Sequence, residues 1–215
     1  MKIALVEDHL MLRELLRKAC ARDFGHQVIV EATTGPEAIA VVLATQPDLL
    51  ILDLQLPGAD GLTVLRAIRA GSASCRVLVL SSHCSEYTLY RVEKARVDGF
   101  VDKNSSTLAE VRKAVAAIGA GQCYFSARYQ EAKAARRRDP QAFDKLLSER
   151  EQTVLILIGR LLTDEEAAGE LGISSATVAK HRFNILKKLN LPSTPALARY
   201  ARDRGFSEAA LPTAP

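Results

Sequence analysis

Five side chains able to handle a phosphoryl group stand just beyond, or at the end of, separate apolar runs. Glu7 and Asp8 follow Ile3–Val6, Asp53 follows Leu49–Leu52, Ser81 follows Val77–Leu80, and Lys103 follows Gly99–Asp102. Carboxylates set side by side repel one another and need a hard cation, and Mg²⁺ takes one or two of them with waters and phosphate oxygens. A carboxylate is also a competent nucleophile toward phosphorus, giving an acyl phosphate. The transferring group spreads its charge over its oxygens, so the remaining work falls to cationic and hydrogen-bonding clamps such as a lysine and a hydroxyl. The plainer reading, that each group merely ends its strand, serves for one residue and poorly for five at four strand ends.

Such a set meets only if the runs lie side by side. Lys2–Val6, Val28–Ala32, Asp48–Asp53, Arg76–Ser81 and Gly99–Asp102 read as strands. Between and after them, His9–Arg22, Gly35–Thr45, Leu62–Ala70, Glu86–Arg96 and Thr107–Ile118 read as helices, with Glu110 completing a capping box on Thr107. Five alternating units with short turns argue for an α/β, flavodoxin-like, doubly wound five-stranded parallel sheet. Functional groups in such sheets gather beyond the carboxyl ends of the strands, where these five residues fall.

The segments VEDH at 6–9, LDLQLPGADG at 52–61, VLVLS at 77–81 and GFVDK at 99–103 resemble the receiver domain of bacterial two-component response regulators. The resemblance implies that Asp53 accepts the phosphoryl group and that Glu7, Asp8, Asp53 and the Gln55 carbonyl hold Mg²⁺. It also implies that Ser81 turns toward the phosphoryl group, that Phe100 rotates with it, and that Lys103 binds phosphate. Ser81 stands where Thr is common and keeps the hydroxyl. Asp102 stands where an apolar residue is commoner, and strand alternation turns it away from the site. Gln55 and His83, each two residues past a site residue, flank the route of an attacking water and are expected to set the lifetime of the acyl phosphate. Cys84 reads as a small buried hydrophobe rather than a redox switch.

At 215 residues the chain has room for two domains. No apolar run approaches the roughly 18 residues that span a bilayer, so no membrane role and a cytoplasmic location are expected. Cys20, Cys75, Cys84 and Cys123 are scattered, which argues against zinc and against a disulfide framework. Residues 1–121 carry 14 basic and 14 acidic residues, so the net +4 lies wholly in the remainder and hints at a polyanionic partner there.

Gly119–Gly121 closes the first domain, 1–121. A linker at 122–146 includes a packed turn at Gln122–Phe125 and an Ala-rich, solvated helix at Ser126–Arg138. The Arg136-Arg137-Arg138 run could meet phosphate, although charge runs in linkers are usually solvated. From 147 to 206 four helices are expected, with capping boxes at Ser148 and Thr163 and a cap at Ser174. A short helix, a tight turn and a longer basic helix make a helix-turn-helix. Periodicity sets Val178, His181, Ile185 and Leu189 inward and Ala176, Lys180, Phe183 and Lys187 outward, with Ala179 beside them. Lys180 can donate to guanine, and Ala and Phe can touch thymine methyls. Thr177, Arg182, Lys188 and His181 flank the stripe, placed for phosphate. Residues 207–215 read as a disordered tail.

The segments LSERE and GISSATVAKHRFNILKKLNL resemble the LuxR-type DNA-binding domain. Joined to a receiver, they resemble the NarL/FixJ family of transcriptional regulators. That implies a sensor histidine kinase as donor, double-stranded promoter DNA as target and a homodimer on phosphorylation or DNA binding. Many relatives carry lysine where this chain has Ala176 and Ala179, and a polar residue where it has Phe183. With the acidic start Asp164-Glu165-Glu166 on the preceding helix, an uncommon sequence preference and low affinity are expected. The alternative is a signalling protein with weak or no specific DNA binding. A phosphatase using Asp53 is disfavoured, because the D-x-D of such enzymes is interrupted by Gln55.

Overall fold

Leu49-Leu50-Ile51-Leu52-Asp53 is buried at every position and forms the middle of a parallel sheet, as an unbroken aliphatic run covered on both faces must. The computed structural model describes residues 1–71 and 74–211. The chain divides into two compact units, one comprising Met1–Cys84 and Leu89–Glu131, the other Ser85–Thr88 and the chain from Ala132 onward.

In chain order the sheet unit contains β1 (Lys2–Val6), α1 (Leu10–Arg22), β2 (Gln27–Ala32), α2 (Gly35–Thr45), β3 (Leu49–Asp53), β4 (Gln55–Leu56) and β5 (Ala59–Asp60). There follow α3 (Gly61–Ala70), β6 (Arg76–Ser81), α4 (Glu86–Lys94, of which Leu89–Lys94 belong to this unit), β7 (Gly99–Asp102), α5 (Leu108–Gly119) and β8 (Tyr124–Phe125). The strand order is β2-β1-β3-β6-β7-β8, all parallel, with β4 and β5 as a separate antiparallel pair. One face of the sheet, built on Ile3, Leu5, Ile51, Leu78, Leu80 and Val101, packs on α1 and α5 through Leu16, Cys20, Val115 and Ile118.

The expected sheet is therefore present with one strand more. Tyr124 and Phe125, expected as a packed turn, pair with Gly99 and Phe100, because the chain leaving α5 runs back along an open edge. Gly99 permits that approach: a Cβ there would lie 2.9 Å from the Tyr124 carbonyl oxygen. The capping box expected at Thr107 is absent. Thr107 makes no side-chain cap bond, and Glu110 instead accepts the Tyr124 hydroxyl at 3.1 Å. On α1 only Leu16, Ala19 and Cys20 are buried, while Leu10, Met11 and Leu15 face solvent.

The linker helix α6 (Ala127–Arg138) is not simply solvated. Tyr129 is buried, stacked on Phe125 at 4.6 Å and tilted against Phe100 at 5.5 Å between ring centroids. Arg136 is buried too, its Nε 3.3 Å from Asp144, so it is withdrawn from any phosphate role.

The second unit continues with α7 (Phe143–Leu146), α8 (Glu149–Gly159), α9 (Asp164–Leu171), α10 (Ser175–Lys188) and α11 (Thr194–Asp203). Both capping boxes form, Ser148 with Glu151 and Thr163 with Glu166, and Ser174 caps α10 through the Thr177 N–H. Gly172 turns the chain between α9 and α10 at φ +62°. Residues 207–211, expected within the tail, belong to the fold. Phe206–Glu208 form a 3₁₀ turn, Ala209 is buried, and Arg160 donates to the Ala209 carbonyl at 2.6 Å. The rest of the expected tail, 212–215, lies outside the described residues. No helix among the described residues is long and apolar enough to cross a membrane.

Candidate functional site

Glu7, Asp8, Asp53 and Lys103 meet at the carboxyl edge of the sheet, because β1, β3 and β7 end there in parallel. One carboxylate oxygen from each of Glu7, Asp8 and Asp53 lies within 4.8 Å of the others. Lys103 Nζ sits 2.7 Å from Glu7 Oε2 and 2.7 Å from Asp53 Oδ2. Glu7 and Asp53 are buried, whereas Asp8 is exposed at the mouth of a cleft also lined by His9, Gln55 and Ser82. Burial is the main influence on Glu7 and raises its carboxyl above the usual range. Lys103 and the His9 N–H oppose that rise without cancelling it, and neighbouring Asp53 adds to it. Clustered acids with one of them reluctant to ionise suit a site completed by a hard cation.

The backbone around Asp53 is shaped for access. Its Oδ1 accepts the Gln55 N–H at 3.1 Å, while Gln55 pairs with Asp60 across a turn through Gly58 at φ +68°. Gly61 lets α3 start against β3, since a Cβ there would overlap the Asp53 carbonyl oxygen and come within 2.8 Å of Leu54 Cα. Asp60 caps that helix by accepting the Leu62 and Thr63 N–H groups, and Arg91 holds its other oxygen at 2.7 Å.

Ser81 is fully buried and bonded to its own loop: its hydroxyl accepts the His83 N–H at 3.0 Å and donates to the His83 carbonyl at 3.3 Å. Gln55 and His83, which the sequence sets 28 positions apart, do meet, with Nε2 to Nε2 at 3.5 Å, and Ser82 Oγ donates to Gln55 Oε1. Phe100 is fully buried.

Asp102 points away from Lys103, as alternation along β7 requires. It accepts the Asn104 N–H at 2.9 Å and the Ser105 hydroxyl at 2.8 Å, with Arg128 at 3.9 Å. Burial opposes its charge most strongly, yet these donors and the Cys84 thiol outweigh it and hold the carboxyl below its usual range. Burial, with Asp102 nearby, pushes the Cys84 thiol up to about 12, which leaves it protonated and poorly reactive.

In the second unit Val178 and Ile185 are buried, His181 and Leu189 are half-buried, and Ala176, Lys180, Phe183 and Lys187 form an exposed stripe along α10. Ala179 is half-buried beside it, and Thr177 is exposed with its hydroxyl on Ser174 at 2.8 Å. Two flanking cations are otherwise engaged. Arg182 grips both oxygens of Asp164 and the Thr194 hydroxyl, and Lys188 Nζ is 2.7 Å from Glu151. The partners lie 18 and 37 positions away, so helical periodicity on α10 alone could not have revealed them.

Residues 3–116 match the response regulator receiver domain, and residues 145–201 match the luxR family of bacterial regulatory proteins. The chain is 32% identical to a nitrate/nitrite response regulator protein homolog of Haemophilus influenzae, covering 91% of this chain and 93% of that one. It is 31% identical to the oxygen regulatory protein NreC of Staphylococcus epidermidis, covering 97% and 100%. Among solved structures, a LuxR-family two-component response regulator from Aurantimonas sp. SI85-9A1 is 33% identical with a TM-score of 0.60, over 64% of this chain and 98% of that one. RcsB from Salmonella enterica serovar Typhimurium, bound to promoter DNA with the phosphomimetic BeF3⁻, shares the fold. It has a TM-score of 0.67 at 24% identity over 93% and 97% of the two chains. With a receiver domain before a LuxR-type helix-turn-helix, this chain belongs to the NarL/FixJ family of two-component response regulators and is a DNA-binding transcriptional regulator.

Proposed function

We propose that this regulator is switched by phosphorylation of Asp53, and the observation that carries the reading is the position of Lys103, bridging Asp53 and Glu7. An Asp53 carboxylate oxygen attacks the phosphorus of a phosphohistidine on a sensor kinase. The P–N bond breaks, the acyl phosphate forms, and the histidine leaves and takes a proton. Lys103 moves from the carboxylates to a phosphoryl oxygen, and the Ser81 hydroxyl leaves the His83 backbone to donate to another. Glu7, Asp8, Asp53 and the Gln55 carbonyl would hold Mg²⁺, which when bound would supply charge neutralisation for the incoming group. The clustered carboxylates fit such an ion, since Glu7 is otherwise a buried acid beside a second acid.

The protein acts as an acceptor and not as a turnover enzyme, returning to rest by slow self-dephosphorylation. Ser81 and Phe100 shift together and bias a two-state equilibrium toward a homodimer that sets two copies of α10 in successive major grooves of promoter DNA. Thr177, Ala179, Lys180, His181, Phe183 and Lys187 serve that contact. Arg182 and Lys188 support it from their ion pairs. The receiver comprises residues 1–121 extended by β8 and the start of α6 to Glu131, 132–146 complete the linker, and the DNA-binding domain runs from 147 through 206 with the turn packed after it. A phosphorelay ending on chromosomal DNA places the protein in the cytoplasm.

The test is selection of labelled genomic fragments with and without a small phosphodonor and Mg²⁺, for wild type and Asp53→Ala. Selection of a few fragments by phosphodonor-treated wild type alone is the expected result. Equal selection by both proteins overturns the switch.

A further inference from the structure

Resting on that DNA-binding reading, we propose that α10 reads thymine 5-methyl groups, with Phe183 as the specificity-determining residue and Ala176 and Ala179 seating the helix close to the bases. Four cations lie on α10, and the structure divides them. Arg182, the one arginine of the helix, has the fork needed for two-point recognition of guanine filled by Asp164 at 3.0 and 2.6 Å. Lys188 is held by Glu151 at 2.7 Å. Lys180 and Lys187 are exposed and have no carboxylate partner among the described residues, and they bracket Phe183 by three and four positions on the same stripe.

The centre of the exposed stripe is therefore an aromatic ring, 66% exposed, while its amino-terminal part is alanine. An exposed phenylalanine elsewhere on a surface needs no explanation, but this one stands where a helix-turn-helix meets base edges. In the major groove the 5-methyl of thymine is the apolar group offered by a base pair. Burying it against Phe183 gains contact with no hydrogen bond to satisfy. The small side chains at 176 and 179 keep the helix axis low enough for the ring to reach. Lys180 and Lys187 hold the backbone on either side.

The experiment begins with the full chain, treated with phosphodonor and Mg²⁺, selecting from a random duplex library. The best duplex is then remade with deoxyuridine in place of each thymine in turn, which deletes the methyl alone. Loss of about three- to fivefold in affinity at one or two thymines per half-site is expected for wild type, the effect of one buried methyl. Phe183→Ala should bind the thymine and uracil duplexes alike.

Equal binding of thymine and uracil duplexes by wild type overturns the proposal while leaving DNA binding intact. Persistence of the methyl effect in Phe183→Ala overturns the role of Phe183. A selection that enriches no duplex defeats the DNA-binding reading itself, and the proposal with it. Loss of all binding by Phe183→Ala, with no methyl effect in wild type, makes the ring a protein contact and overturns the proposal.

Discussion

Arg182 closes Nε and Nη2 on the two oxygens of Asp164 at 3.0 and 2.6 Å while its Nη1 donates to the Thr194 hydroxyl at 3.0 Å. One side chain thus ties α10 to the first turn of α9 and the first turn of α11. Arg182→Ala is expected to lower stability by about 1 kcal/mol, a value kept small because both partners are partly solvated, and to leave the salt dependence of DNA binding unchanged. Lys187→Ala should do the reverse, sparing the denaturation midpoint and reducing the slope of log K against log salt by about one. Paired denaturant and salt titrations separate the two.

Acid should loosen the second unit through Glu151. Burial opposes its ionisation most, but Lys188 and the Ser148 N–H and hydroxyl outweigh burial and hold the carboxyl below its ordinary value of 4.5. The unfolded chain therefore binds the proton more tightly than the folded one. The stability Glu151 confers is present above about pH 4.5 and drains away as pH falls through the lowered native value. Glu151→Gln should start less stable at pH 7 and show a flatter decline below pH 4.5 in thermal melts.

Gly61→Ala should damage the phosphoacceptor without touching a reactive atom. The added methyl overlaps the Asp53 carbonyl oxygen and crowds Leu54, both backbone, so the start of α3 or the end of β3 must move. A cost of about 3 kcal/mol is expected. Incorporation of phosphate from a small donor should slow more than tenfold under conditions where circular dichroism shows the variant still folded.

Gln55 lines the cleft that opens onto Asp53, and His83 Nε2 lies 3.5 Å from Gln55 Nε2 behind it in the hydrogen-bond chain. Gln55→Ala and His83→Ala are each expected to change the half-life of the acyl phosphate severalfold, measured by loss of label from the purified phosphoprotein. Half-lives equal to wild type in both variants would remove these residues from control of the attacking water.

Leu161 holds φ +66° with its side chain largely exposed, between α8 and α9. A left-handed backbone strains any residue with a Cβ. Leu161→Gly should therefore raise stability by about 0.5 to 1 kcal/mol in denaturant melts, the relief of strain exceeding the entropy that glycine adds to the unfolded chain.

Strand ends, capping boxes at Ser148 and Thr163, and the outward stripe of α10 were legible in the sequence because each depends on neighbours within a few residues or on a fixed period. The convergence of Glu7, Asp53 and Lys103 was legible because parallel strands put their ends on one edge. What escaped depends on long-range geometry. Tyr124 joins the sheet only because β7 leaves an edge open, and then it draws Glu110 away from a local cap. Arg182 and Lys188 look free on a helical wheel and are held by carboxylates from other helices. Arg136 sits in a charge run that composition marks as solvated, yet it is buried against Asp144.

The extra strand decides where this protein can be cut. A fragment ending at Gly121 strips β8 from β7, baring the Gly99 and Phe100 backbone edge, and removes Tyr129 from the ring of Phe100. Unpaired edges invite pairing with another copy. A receiver fragment that stops at Gly121 is thus built to stick to itself, and one carried through Glu131 keeps its own edge closed.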